Sequence, residues 1–173
     1  AVLIPLLFMG EEFGETHPFL FFTDFHGELA KAVREGRAKE FSGHAGHDET
    51  VPDPNDVNTF IRSKLDWNKI ATDEGKTWLR YTRHLLTLRH RYIVPLLHPG
   101  GAVEGHVLKT APGMVAVSWR FPSGTLSLAL NIGTKPVDLP ALAGETRFAW
   151  PELNDVLPPN GIVVRFADGE ASL

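Results

Sequence analysis

Leu3-Ile4-Pro5-Leu6-Leu7-Phe8-Met9-Gly10-Glu11-Glu12-Phe13-Gly14 is the stretch whose reading decides the fold. A short, uninterrupted apolar run closed by glycine has the pattern of a strand buried on both faces, as in a parallel sheet, rather than of a strand with one wet face. Parallel strands need neighbours on each side and helices over the faces. In a β/α barrel the residues just past such a strand form the rim where chemistry takes place. Glu11, Glu12 and Glu15 are therefore expected at a rim, beside Phe13, Phe19, Phe21 and Phe22. Nothing precedes the strand to pair with it, and the chain starts at Ala1 without a Met. The chain is read as the C-terminal piece of a longer polypeptide, cut inside a domain.

Composition narrows the function classes. With 43% hydrophobic and 22% charged residues over 173 positions, the chain has ordinary globular material for one medium domain or two small ones. A net charge of -4 argues against nucleic acid as a partner, because phosphate binding needs a basic excess. Arg80, Arg83, Arg89 and Arg91 alternate with Leu and read as the solvated side of a helix. The absence of Cys excludes disulfides and thiolate metal sites and permits a cytoplasmic setting. The N-terminal apolar run is shorter than the roughly 20 residues that span a bilayer, so no membrane partner is expected. It also lacks the basic flank of a signal peptide.

From Glu15 to Phe25, four of eleven residues are Phe, with carboxylates towards both ends. The segment reads as a loop over the end of a barrel, or as a sugar-binding rim, since carbohydrate sites combine ring platforms with a few carboxylates. Leu29, Ala32 and Val33 recur at helical spacing from Glu28 to Glu40. His44, His47, Asp48 and Glu49 follow in a Gly-containing loop, which holds metal ligands poorly, so no metal site is assigned. Val51-Pro52-Asp53-Pro54-Asn55-Asp56 is turn chemistry that caps a short helix holding Thr59, Phe60 and Ile61. The strongest helix starts at Thr72-Asp73 and runs to about Arg91, with Trp78, Tyr81, Leu85, Leu88 and Tyr92 on one stripe that calls for a sheet beneath it. His84 and His90 fall on different faces and read as structural or solvated. Val94-Pro95 and His98-Pro99-Gly100-Gly101 are expected to stop this helix and end the domain.

Beyond that point short alternating strands appear, as in an antiparallel sandwich. They are expected at 102–109, 114–120, 126–131, 147–150 and 162–166, with Pro122-Ser123-Gly124 as a hairpin turn. Val115, Val117, Trp119 and Phe121 share one face, answered across the hairpin by Leu126, Leu128 and Leu130. Trp119 and Trp150 are read as core side chains, with sugar platforms as the other reading.

Pro5-Leu6-Leu7-Phe8-Met9-Gly10-Glu11-Glu12 resembles the eighth barrel strand and following loop of the α-amylase family of glycoside hydrolases. The helix ending Leu85-Leu86-Thr87-Leu88-Arg89 is similar to that family's last barrel helix. Asn131-Ile132-Gly133 and Leu157-Pro158-Pro159-Asn160-Gly161 fit its C-terminal sandwich. Two blocks, Pro18-Phe19-Leu20-Phe21-Phe22-Thr23-Asp24 with its helix and Val51-Pro52-Asp53-Pro54 through Arg62-Ser63-Lys64-Leu65-Asp66-Trp67, resemble the trehalose-releasing branch of the family. Phe25 departs from the His found there after the Asp, and no role is assigned to it.

The resemblance implies an α+β fragment: the last strand and helices of a (β/α)8 barrel over residues 1–97, then an antiparallel β-sandwich over 98–173. It implies a parent enzyme that cleaves the α-1,4 bond next to the terminal trehalose of malto-oligosyltrehalose and releases trehalose, with no cofactor. The family's catalytic Asp, Glu and Asp come from strands four, five and seven, which this chain lacks, so the fragment is expected to be inactive and no catalytic residue is assigned in it. Glu11, Glu12, Phe21, Phe22 and Asp24 are the candidate substrate-binding residues in the complete enzyme. The alternatives are a fragment of a branching enzyme or α-amylase, an independent acid/base pair of Glu11 and Asp24, or a non-catalytic carbohydrate-binding module using Trp119 or Trp150. A maltoheptaose titration followed by Trp fluorescence separates the module from the fragment. The strand and helix left without barrel partners are expected to drive self-association through the N-terminal region.

Overall fold

The computed structural model describes residues 4–41, 51–98, 103–153 and 156–169. The loop with His44, His47, Asp48 and Glu49 lies outside the described residues. The chain divides into two compact units, one spanning Leu6–Thr82 and one carrying the chain from Arg83 onward.

Residues 4–8 belong to neither sheet, so the expected strand is not formed among the described residues. A strand is defined by its partners, and none of the described residues pairs with this one. Its side chains accordingly lie open, Ile4 at 89% and Leu6 at 94% exposure. A tight 3-10 turn, Glu11–Phe13, follows. Helix α1 (Gly27–Phe41) buries no residue. It is tied to the Asp53–Asn55 turn by Arg34 Nε to Asp53 Oδ2 at 2.7 Å and by Asn55 Nδ2 to Ala30 O at 3.3 Å. Asn55 Oδ1 also accepts from Thr23 Oγ1 and Phe25 N, so this turn fixes the aromatic loop. Helix α2 (Val57–Arg62) starts at Asp56, whose carboxylate accepts from Asn58 N as an N-cap.

Helix α3 (Asp73–Leu88) is capped by Thr72, whose hydroxyl accepts from Gly75 N. The helical path then continues through a π-turn, Arg89–Ile93, into the short helix α4 (Val94–Leu97). Val94-Pro95 was expected to stop the helix; instead the π-turn leads into α4, with Pro95 in its first turn.

The second unit is built on a five-stranded antiparallel sheet: β1 (Glu104–Ala111), β2 (Met114–Phe121), β3 (Gly124–Asn131), β5 (Glu145–Trp150) and β7 (Gly161–Asp168), in the order β1-β2-β3-β7-β5. Val115 pairs with Leu130, Val117 with Leu128 and Trp119 with Leu126. On that face Phe121 and Leu126 pack with Leu96 of α4, flanked by Ile93, Trp119, Val164 and Phe166. On the other face Met114, Ala116, Ala129 and Val163 pack with Leu142 and with Leu157 from a two-stranded sheet of β4 (Val137–Asp138) and β6 (Val156–Leu157). Asn131, fully buried, joins these parts: its Nδ2 donates to the carbonyls of Lys135, Leu157 and Pro158, and its Oδ1 accepts from Gly133 N. Trp119 is packed as expected. Trp150, on the outermost strand β5, is 54% exposed instead of buried, because an edge strand has a neighbour on one side only.

Candidate functional site: a carboxylate-centred turn and cleft

The site is organised by two glycines. Gly10 (φ 92) and Gly14 (φ 70) bracket the Glu11–Phe13 turn in left-handed conformations that other residues rarely adopt. A Cβ on Gly14 would stand 2.5 Å from Trp78 Cδ1, and one on Gly10 2.6 Å from Glu15 Cβ. Between them Phe13 is completely buried, its ring 5.9 Å from that of Trp67. This geometry turns the carboxylates back on the chain. Glu11 Oε2 accepts from Phe8 N at 2.9 Å, and Glu12 Oε2 from Gly10 N at 3.0 Å.

Glu15 is the hub. Its side chain is 4% exposed. Oε1 accepts from Thr16 N (2.7 Å), His17 N (2.9 Å) and the His17 ring at Nδ1 (2.9 Å), while Oε2 accepts from Asp66 N at 2.6 Å. These donors, the His17 amide foremost, outweigh the opposing effect of burial and hold the carboxyl at about 2, below its ordinary 4.5. An ionised carboxylate only accepts, so His17 Nδ1 carries the proton in this pair.

Glu11, Glu15 and His17 form the polar side of a cleft of about 130 Å³, with Phe8, Phe19 and Leu65 as apolar wall. Phe8 and Phe19 meet edge to face, centroids 5.0 Å apart. Of the five candidate residues, Glu11 alone lines this cleft. Phe22 is half-buried between Phe19 and Phe60, at 5.9 and 5.2 Å. Phe21 lies under the Arg37 guanidinium, 4.7 Å from the ring centroid. The Asp24 carboxylate is 99% exposed and 4.0 Å from His26 Nε2. It has no part in the cleft, so Glu11 and Asp24 do not share one. Among the described residues, no three His, Asp or Glu side chains are placed to hold a metal ion.

The sequence presents Glu15 as one rim carboxylate among three and gives His17 no role. Their signal is the Glu-Thr-His spacing, which lets one carboxylate cap the next two amides and the imidazole together. Which of the three carboxylates is buried depends on Asp66, far along the chain.

No protein-family profile matches the chain. It superimposes on a solved structure from Salmonella typhimurium whose name assigns it to the α-amylases, with a TM-score of 0.88 and 62% identity over 95% of this chain and 28% of that one. The structural likeness is thus to a protein of the α-amylase class. More particularly, the chain's sequence is similar to proteins named malto-oligosyltrehalose trehalohydrolase. It is 47% identical to that of Deinococcus radiodurans over 97 residues (56% of this chain), 38% to that of Rhizobium sp. over 136 residues (78%) and 36% to that of Brevibacterium helvolum over 152 residues (87%). The matched regions make up 16%, 22% and 25% of these relatives, so the chain spans a quarter of their length or less.

Proposed function

We propose that this chain is the C-terminal part of a glycoside hydrolase that cleaves the α-1,4 bond next to the terminal trehalose of malto-oligosyltrehalose and releases trehalose. One observation carries the reading: relatives that share 34–47% identity with 51–87% of the chain all bear the name malto-oligosyltrehalose trehalohydrolase. Residues 1–97 supply the end of a (β/α)8 barrel and residues 98–173 a β-sandwich. The open apolar side chains of Ile4 and Leu6 are consistent with a segment built to be covered by further chain. Glu11, Glu12, Phe21, Phe22 and Asp24 contact sugar in the complete, cytoplasmic enzyme. The retaining reaction uses a nucleophile and an acid/base carboxyl roughly 5–5.5 Å apart. Both lie outside this chain, which hydrolyses nothing alone. In isolation it self-associates through its N-terminal region.

Product analysis of the longest open reading frame that contains this chain tests the proposal. With malto-oligosyltrehalose it releases trehalose. Conversion of amylose to a branched glucan, with no trehalose formed, would assign a branching enzyme instead.

A further inference from the structure

The five-stranded sheet has two outer strands, because among the described residues no strand pairs beyond β1 or β5. The inner pairings are regular: β2 matches β3 residue for residue from Met114 opposite Asn131 to Phe121 opposite Gly124, and β3 matches β7 in the same way. Each outer pairing is broken once. Val107 is opposite Val117 and Lys109 opposite Ala116, which leaves Leu108 as an extra residue in β1. Thr146 is opposite Arg165 and Phe148 opposite Val164, which leaves Arg147 as an extra residue in β5. In both cases the surplus lies on the edge strand, and the inner partner runs on without a gap. A bulge bends the strand that carries it, and a bent edge is a poor template for another strand.

A bulge can also re-aim a side chain, and Arg147 shows this: its guanidinium lies over the Tyr92 ring at 4.9 Å and pairs with Glu145 at 2.7 Å. Leu108 has no such placement. It belongs to neither apolar cluster of the sheet and is 44% exposed, next to Val107 at 67%. A straight β1 would therefore set exposed apolar side chains along an eight-residue edge, the pattern that recruits a second chain. We infer that Leu108 serves as an edge guard: the bulge it makes keeps β1 of one molecule from pairing with β1 of another copy. The inference is independent of the glycosidase reading and concerns a surface other than the N-terminal one.

The test is deletion of Leu108 from the 173-residue chain, which makes Val107 and Lys109 consecutive and leaves every partner in β2 unchanged. It is made in Leu6→Asp, so that association through the N-terminal region, open at a position 94% exposed, is weakened in parent and variant alike. Sedimentation velocity is expected to show the deletion variant associating at a concentration at least about tenfold below its parent, with β1 amides gaining protection from hydrogen exchange as concentration rises. The deletion removes an exposed apolar side chain, so apolar surface by itself predicts the opposite change. Adding Val107→Lys to the deletion places a charge on the straightened edge and is expected to return the variant to its parent's behaviour. A folded deletion variant that associates no more than its parent, or association that protects amides outside β1 and leaves β1 unchanged, would overturn the inference. So would loss of the fold in both deletion variants by near-ultraviolet circular dichroism, since the extra residue would then be a requirement of the fold and not a guard.

Discussion

Asp66 N donates to Glu15 Oε2 at 2.6 Å, closing a loop of 51 residues with a carboxylate that also caps Thr16 and His17. Through this side chain the candidate rim is tied to Asp66, which caps the 3-10 helix Trp67–Ala71.

That contact sets an acid limit. The Glu15 carboxyl titrates near 2 in the folded chain, against an ordinary 4.5, so its contribution is fully present above about pH 4.5 and is lost as pH falls towards 2. His17, in direct contact, and Glu11, which lines the same cleft, are titratable groups that share this site with it. Thermal melts between pH 5 and pH 2 are expected to show a steeper loss of stability for the unsubstituted chain than for Glu15→Gln. Parallel curves would contradict the assignment.

Two glycines give opposite expectations. Gly14→Ala forces a left-handed residue against the Trp78 ring and is expected to cost at least about 1–3 kcal/mol in urea unfolding. Gly36 lies in α1 with nothing within 4 Å of a new Cβ, so Gly36→Ala is expected to stabilise by about 0.5–1 kcal/mol.

In the strand unit, Asn131→Leu strips hydrogen bonds from the buried Leu157 carbonyl and the part-buried Pro158 carbonyl and is expected to cost at least about 1–3 kcal/mol. Ser127 is also completely buried, but its hydroxyl has no partner among the described residues. Ser127→Ala is expected to be neutral or stabilising by up to about 1 kcal/mol. Denaturant unfolding of the two variants separates a polar group that holds the fold from one that does not.

The exposed N-terminal side chains predict association. Light scattering at high concentration is expected to show a dimer or larger species for the unsubstituted chain, reduced by Leu6→Asp at a position that is 94% exposed. A monomer throughout would remove the argument for an N-terminal contact.

The sequence made some parts of this structure legible and hid others. The Met114–Asn131 hairpin could be read because its alternation repeats on both strands, and α1 to α3 because their periodicity or capping residues are local. The strands β4 and β6, two residues each, are too short to show a period and form by pairing with one another. Residues 3–9 have the composition of a buried strand, but strand formation depends on neighbours that composition does not supply. The continuation past Pro95 needed the π-turn, which no residue pattern announces. Glu15 looked like Glu11 and Glu12 because burial of a carboxylate is decided by distant donors.

The central claim is that the catalytic carboxylates lie outside this chain, and trehalose release from malto-oligosyltrehalose by the purified 173-residue protein tests it most directly. The account predicts no release above an enzyme-free blank. Measurable release of trehalose by this chain alone would contradict it.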